Sequence, residues 1–191
     1  MKKIIVFIGL SMMLFSCDVV QQLAGGYQLT QCKYEYNSIS GISLNGITTQ
    51  NLSNPLNLAK ITTAFASPNG SFPLNFTLNL DVTNPGMQSA ILNGLGYILE
   101  IDGHQMTTGS LSQKLQIDGG QKTVLPINMT FDLKQVLSGE SLESIKNIAL
   151  SFAGIGSASS DVTVKLQPSL LIGNKVLNTP TYIPISFKLN K

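Results

Sequence analysis

The most regular stretch of the chain is residues 74–83, Leu-Asn-Phe-Thr-Leu-Asn-Leu-Asp-Val-Thr. Apolar and polar residues alternate over all ten positions. Since successive side chains of a β-strand point to opposite faces, this pattern predicts a strand with one buried face and one wet face. Asn84-Pro85-Gly86 follows and predicts the end of the strand, because Pro has no N–H to donate and Gly permits a turn.

Shorter apolar runs with turn signals between them extend this pattern in both directions. Asn45-Gly46, Asp102-Gly103 and Asp118-Gly119-Gly120 predict tight turns, because Gly and Asn tolerate the positive φ angles that such turns need. Seven or eight short strands with regular turns are typical of an antiparallel β-sandwich, so we expect a mainly β domain. The expected strands are 30–47, 74–83, 95–101, 110–117, 122–131, 162–172 and 183–189, with Gly173-Asn174 as a further turn and Pro184 marking an edge strand.

Two short helices are expected beside the sheets. Asn54 as the cap and Pro55 in the first turn predict the start of a helix that continues, with apolar residues at helical spacing, through residue 66. A second helical pattern covers 132–147, where Ser138-Gly139 can divide the helix in two.

The first sixteen residues have the pattern of a secretory signal. Lys2 and Lys3 form a positive head, and residues 4–15 carry no charge. Those twelve residues are too few to span ~30 Å of hydrocarbon at ~1.5 Å per residue. The segment ends Leu14-Phe15-Ser16-Cys17, which resembles the lipobox of bacterial lipoproteins, with Leu at −3 and a small residue at −1, although Phe15 is bulkier than usual for −2.

This resemblance implies cleavage before Cys17, diacylglycerol on its sulfur and an acyl chain such as palmitate on the new amino group. The expected domains are a cleaved signal peptide (1–16), a lipidated tether (17–29) and a single β-sandwich domain (30–191). Gly25-Gly26 predicts flexibility in the tether. The expected location is the cell envelope, anchored by lipid, with the outer membrane favoured and the face left open. The alternative is an ordinary signal peptide with Cys17 nearby by chance.

The composition argues against a nucleic-acid partner and against an internal disulfide. Removing Lys2 and Lys3 with the signal leaves ten Lys against ten Asp and Glu, hence no net charge with His neutral. The chain has no Arg, the usual reader of phosphate and guanine, so nucleic-acid binding is not expected. With Cys17 carrying lipid, Cys32 has no partner, so we expect a buried free thiol and no internal disulfide.

A family pattern is visible between residues 74 and 126. The alternating strand ends in Asn84-Pro85, a second strand carries Gly94-Leu95-Gly96-Tyr97, and Gly109, Gly119-Gly120 and Leu125-Pro126 follow. This order resembles the late-embryogenesis-abundant group 2 family, also called the water-stress and hypersensitive-response domain, although Gly86 stands where the family has Asn. The resemblance implies an immunoglobulin-like or fibronectin-III-like sandwich, an association with stress tolerance, and no established active site.

No residue set predicts catalysis or metal binding. His104 is the only histidine, and Asp102 and Ser110 are near it in sequence, but a polar turn residue is the favoured interpretation over a Ser-His-Asp triad. Glu100, Asp102 and Asp118 are the best carboxylate cluster for calcium or for glycosidase chemistry, yet such residues more often keep turns soluble. We therefore expect no enzyme, no cofactor and no metal.

Sugar binding by aromatic rings is weakly supported. The chain has no Trp, its five Tyr are scattered, and Tyr97 is in register with Leu95 and Leu99 and so is expected in the core. The expected function is a non-enzymatic structural or interaction module on a membrane anchor. The alternative is an envelope lipoprotein that binds a glycan or a lipid. The sequence names no protein partner.

Overall fold

The computed structural model describes residues 25–189, apart from 53, 68–69, 139, 141, 155–156, 158 and 173–174. Cys17, the signal segment, Ser141 and the Gly173-Asn174 turn therefore lie outside the described residues.

Two antiparallel sheets form the predicted sandwich. The first sheet has the order β2-β1-β3-β8, and the second has the order β10-β9-β5-β6, with β11 also pairing β9. A short ladder, β4-β7, lies apart from both sheets. The strands are β1 (Lys33–Leu44), β2 (Ile47–Thr48), β3 (Pro73–Thr83), β4 (Ala90–Leu92), β5 (Gly94–Ile101), β6 (His104–Leu111), β7 (Leu115–Ile117), β8 (Lys122–Asp132), β9 (Ser160–Ile172), β10 (Lys175–Asn178) and β11 (Ile183–Leu189).

The stretch that opened the sequence analysis is the centre of the first sheet. β3 pairs with β1 on one side and with β8 on the other. Its five alternating apolar side chains are buried, whereas its Asn and Thr side chains are partly exposed. The prediction of a one-face strand at 74–83 is therefore confirmed.

Two of the predicted turns, Asn45-Gly46 and Asp102-Gly103, close hairpins. Asn45 and Gly46 have φ angles of 48° and 77°, and Asp102 and Gly103 have φ angles of 50° and 81°. Positive φ at both central residues gives the turn a twist that matches the flanking strands. The Asp102-Gly103 turn joins β5 to β6, with Ile101 paired to His104.

The described helices are α1 (residues 25–31), α2 (Pro55–Ala66), α3 (Leu133–Val136) and α4 (Leu142–Ala153), with a 3-10 turn at Thr49–Asn51. α2 begins as predicted, since the Asn54 side chain accepts a hydrogen bond from the Leu56 amide at 2.9 Å and Pro55 occupies the first turn. At its other end, Lys134 Nζ donates to the carbonyls of Ala64 (2.6 Å) and Ser67 (2.5 Å). A cation there offsets the unpaired carbonyls of a helix C-terminus.

The core lies between the two sheets, and α4 covers part of it. Buried side chains alternate along β3, β8, β5 and β9. Phe76 on β3 contacts Phe131 edge-on at 6.2 Å and Phe152 of α4 at 4.9 Å between ring centroids. At one side of the sandwich, Tyr36 on β1 stacks on Phe187 on β11, with 3.9 Å between ring centroids.

Three predicted boundaries differ from the structure. Residues 25–29, expected in a flexible tether, belong to α1, where Gly25 and Gly26 are buried. The strand expected at 110–117 is instead β6 and β7, separated at 112–114. The helix expected at 132–147 is α3 and α4, and α4 continues to Ala153.

The edge position predicted for Pro184 is confirmed. β11 pairs only with β9 in the described part of the chain, so the missing N–H of Pro184 costs the sheet little there.

Candidate functional site

The loop that follows β3 is held by one buried amide. Asn84 is fully buried. Its Nδ2 donates to the carbonyls of Gln88 (2.8 Å) and Ile117 (2.9 Å), and its Oδ1 accepts from the Gly86 amide (3.0 Å). Asn84 thus ties the 84–89 loop to the end of β7, a structural role that the strand-ending motif did not reveal.

The neighbouring turn approaches this loop too closely for any residue but glycine. A Cβ on Gly119 would lie 2.4 Å from the Met87 carbonyl oxygen. The Gly120 amide donates to the carbonyls of Asn84 and Gly86, both at 3.0 Å. The motif residues of this region therefore build a compact pair of loops.

Tyr97 fills the space opened by a second motif glycine. It pairs with Gly109 across the β5-β6 hairpin, and its ring lies where a Cβ on Gly109 would be. The ring is partly buried against the core, and its hydroxyl donates to the Asn128 carbonyl of β8 at 3.4 Å. Burial raises the pKa of Tyr97 above its ordinary value. This side chain joins the second sheet to the edge of the first.

The three residues considered for a triad are not brought together. Ser110 pairs with Gly96, whereas His104 pairs with Ile101, so Ser110 lies six positions along β6 from His104. Asp102 Oδ1 accepts from the Asp161 amide at 2.8 Å, and His104 Nδ1 lies 3.7 Å from the Glu140 carboxylate. His104 is a half-exposed turn residue, as the favoured interpretation expected.

The carboxylate trio is also dispersed. Glu100 is paired with Lys165 at 2.5 Å, and Asp102 lies beyond the end of β5. Asp118 lies beside Ser89, before β5 begins, and eight residues of strand span roughly 25 Å. Within the described ranges, no three His, Cys, Asp or Glu side chains are placed to hold a metal ion.

The carboxylates with lowered pKa values serve structural hydrogen bonds. The ammonium of Lys122 at 2.5 Å and the Asn37 amide hold the pKa of Asp81 below its usual value. Hydrogen bonds from Gln116 and Ser89 do the same for Asp118.

Asp132 caps α3 and also accepts a hydrogen bond from the backbone amide of Phe72, in the loop that precedes β3. Partial burial opposes its charge, but hydrogen bonds from Ser71 Oγ and the amides of Phe72, Gln135 and Lys134 outweigh burial, so its pKa is lowered.

Cys32 is a buried free thiol, as expected. Its Sγ lies 3.4 Å from the Gln28 carbonyl of α1, and burial raises the pKa of the thiol to about 11. A thiol with so high a pKa is almost entirely protonated at neutral pH and is a poor nucleophile.

Most of the tyrosines are not exposed. Tyr34, Tyr36 and Tyr97 pack against the core, and only Tyr27 and Tyr182 are exposed.

Among the residues that the structure places, no helix is both long enough and apolar enough to cross a membrane.

One surface groove was not predicted. It lies between α2 and the β1-β2 hairpin, encloses about 830 Å³, and is lined by Leu56, Ala59, Lys60 and Thr63 of α2 and by Asn45 and Ile47 of the hairpin. The groove is open to solvent and lies outside the sandwich core. Sequence reasoning missed it because it depends on how α2 packs against a distant hairpin.

Solved structures similar to this chain include a protein from Archaeoglobus fulgidus, with 11% identity over 84% of this chain and 94% of that one and a TM-score of 0.40. A protein from Arabidopsis thaliana has 16% identity over 64% and 71% of the two chains and a TM-score of 0.40. One described as a late embryogenesis abundant protein has 12% identity over 82% and 68%, with a TM-score of 0.42. No family model and no curated protein matches the sequence. All three TM-scores lie below 0.5.

Proposed function

We propose that this protein is a lipoprotein of the bacterial cell envelope, anchored through lipid on Cys17, whose sandwich is a non-enzymatic structural or interaction module of the group 2 late-embryogenesis-abundant type. The Leu14-Phe15-Ser16-Cys17 sequence after a short apolar segment carries the anchor. Several acyl chains at one residue make a stable anchor, since each buried methylene contributes about 0.8 kcal/mol. The outer membrane is the favoured location.

The closed form of the sandwich supports an interaction module. The core is filled by side chains of both sheets and α4, and the groove lies outside it. The described part of the molecule leaves no buried side-chain polar atom without a hydrogen-bond partner. Buried, unpaired polar groups aimed into a cavity are typical of ligand sites, and their absence from the described side chains favours recognition through the surface.

Mass spectrometry of the mature N-terminus, after growth of a Gram-negative host with alkyne-labelled palmitate, tests the anchor. We expect the wild-type chain to begin at Cys17, to carry the label and to float with membranes. Cys17→Ser should remain unlabelled. Cys32→Ser is the matched control, because it removes the other cysteine and should be labelled like the wild type. An unmodified Cys17 in the wild-type chain would refute the lipoprotein proposal.

A screen for turnover tests the absence of enzymatic activity. The purified chain should hydrolyse no common ester, glycoside or peptide substrate, because His104, Asp102 and Ser110 lie apart. Turnover that disappears in His104→Ala would show that a catalytic site exists.

The groove beside α2 supports a second candidate function, a ligand-binding lipoprotein. Its volume of about 830 Å³ could hold one fatty-acyl chain or a short glycan, and Lys60 could meet an anionic group. Calorimetric titration with lauric acid and with a soluble peptidoglycan fragment tests this candidate. Binding that is lost in Leu56→Asp and retained in Val124→Asp, a control at an exposed position of β8, would favour the ligand function over the interaction module.

A further inference from the structure

The exposed apolar side chains are concentrated at one end of the sandwich. Of the seven large hydrophobic residues exposed in the described part of the chain, five lie around α1, the 84–89 loop, β10 and residues 179–182, which together we call the α1 end. Met87 is 97% exposed, Tyr27 65% and Val176 62%. The set is Tyr27, Met87, Val176, Leu177 and Tyr182.

Contacts across the fold bring these segments together. A Cβ on Gly25 would meet Ile91 at 3.2 Å, and one on Gly26 would meet Leu170 at 2.8 Å, so α1 packs closely on β4 and on the end of β9. β10 pairs with that same end of β9, through Leu177 and Leu170. Gln28 of α1 reaches Gly86, next to Met87. The exposed rings and aliphatic side chains therefore share one end of the molecule.

Charge differs between the two ends. Three lysines, Lys33, Lys114 and Lys175, are exposed at the α1 end, and Asp118 is an exposed carboxylate beside the 84–89 loop there. The opposite end, around the Asp102-Gly103 turn, carries exposed carboxylates at Asp102, Glu140, Glu143 and Asp161, of which Glu143 and Asp161 are paired with Lys146 (3.7 Å) and Lys188 (3.4 Å). A surface with lysines around apolar side chains suits an anionic lipid headgroup layer, whereas the opposite end would be repelled by it.

The chain between the proposed anchor and α1 is short. Only residues 18–24 separate Cys17 from the first described residue. Even a fully extended chain would span at most about 28 Å over this distance. A lipid on Cys17 therefore holds the α1 end near the bilayer, where a high effective concentration lets a weak apolar surface bind.

We propose that the α1 end docks on the bilayer, with Tyr27, Met87 and Val176 in the headgroup layer and the Asp102-Gly103 turn pointing away from the membrane. This inference rests on the proposed lipidation of Cys17. The lipid supplies attachment, and the α1 end sets the orientation. The groove and the outer strands are then presented to partners in the aqueous phase.

Tryptophan placed at single positions tests this orientation, because the chain has no Trp of its own. The full lipidated chain would be prepared as Met87→Trp, Val176→Trp and, at the opposite end, His104→Trp. Each is reconstituted in vesicles of phosphatidylcholine and phosphatidylglycerol containing lipid brominated in its acyl chains. We expect quenching of Trp fluorescence at positions 87 and 176 to exceed that at position 104 by at least roughly twofold, because acyl-chain bromine quenches only residues close to the bilayer. The Trp emission at positions 87 and 176 should also shift to shorter wavelengths.

Flotation separates failure of this inference from failure of the anchor. If the wild-type chain does not float with the vesicles, the lipoprotein proposal fails. If it floats but quenching at 87 and 176 is no greater than at 104, the anchor stands and the docking surface is wrong. Self-association in detergent that Met87→Asp abolishes would assign the α1 end to a second copy and would also overturn the proposal. Thermal melts check that each variant is folded. Substitution of an exposed side chain such as Met87 should leave the fold intact.

Discussion

Replacing Asn84 with alanine should destabilise the domain by about 2–4 kcal/mol, although the side chain contributes little to the apolar core. Asn84 is fully buried and makes three hydrogen bonds, two within the 84–89 loop and one to the Ile117 carbonyl of β7. Alanine would remove all three hydrogen bonds and leave the backbone groups of Gly86, Gln88 and Ile117 without this partner.

The magnitude follows from where each partner lies. The bond to the Ile117 carbonyl is buried, so its loss strands an acceptor at a cost of about 1–3 kcal/mol. The bonds to Gln88 and Gly86 are partly exposed, so water can replace them at a cost of about 0.5 kcal/mol each. At roughly 2–4 °C per kcal/mol for a domain of this size, the melting temperature should fall by about 5–15 °C.

Urea unfolding followed by circular dichroism measures the effect. The matched control is Asn79→Ala, on β3 just before the loop, since Asn79 also donates two hydrogen bonds, to Ser38 Oγ (3.2 Å) and Ser40 Oγ (3.1 Å). Its side chain is on the partly exposed face, so its loss should cost less than about 1 kcal/mol. Equal losses in the two variants would show that burial of the amide does not determine its contribution.

Asn84→Asp adds a dependence on pH with a definite sign. A carboxylate would face the two carbonyls that Nδ2 now contacts, so its pKa in the folded state should rise above the unfolded value of about 3.9. The protonated acid can still donate one of the bonds. Stability should therefore be greatest below the unfolded pKa and be lost as pH rises through the folded pKa. A variant whose stability increases with pH over that range would contradict the arrangement.

Three further outcomes are expected. Asp132→Ala should lower the free energy of unfolding by about 1–2 kcal/mol through loss of a helix cap. Because the pKa of Asp132 is lowered in the folded state, the stability advantage of the wild type should be present above the unfolded pKa and shrink as pH falls through the folded pKa. Unfolding measured as a function of pH in the acid range checks this. Gly119→Ala should cost at least about 2 kcal/mol by thermal melt because its Cβ meets the Met87 carbonyl, whereas Gly96→Ala, with 3.6 Å to its nearest neighbour, should be nearly neutral. Cys32 should react with a thiol reagent far more slowly in native protein than in urea, and equal rates would contradict its burial.

Local patterns were enough to predict most strands and one helix. Strict alternation predicted β3, because in a strand with one buried and one exposed face each residue is apolar or polar according to the face on which it lies. Asn54-Pro55 predicted the start of α2, because capping depends on adjacent residues. β6 was missed over most of its length, since only Met106 is buried in it and an edge strand with two largely wet faces shows little alternation.

Long-range packing explains the remaining errors. Gly25 and Gly26 suggested flexibility, but they lie in α1, where small residues allow close packing on Ile91 and Leu170. The role of Asn84 was hidden for the same reason, because its partner Ile117 is 33 residues away. An Asn before Pro at the end of an alternating strand, followed at a distance by Gly-Gly, is a sequence signal that could have suggested it.

The order of strands in the first sheet also has a kinetic consequence. β1 pairs with β3 across 30 to 50 residues, and β3 with β8 across 39 to 59, whereas β5 and β6 meet through a two-residue turn. Closing long loops slows folding, so the β5-β6 hairpin should form early and the first sheet late. During that interval the apolar face of β3 is open to other unfolded chains. Refolding yield should therefore fall as protein concentration rises, whatever the stability of the finished fold.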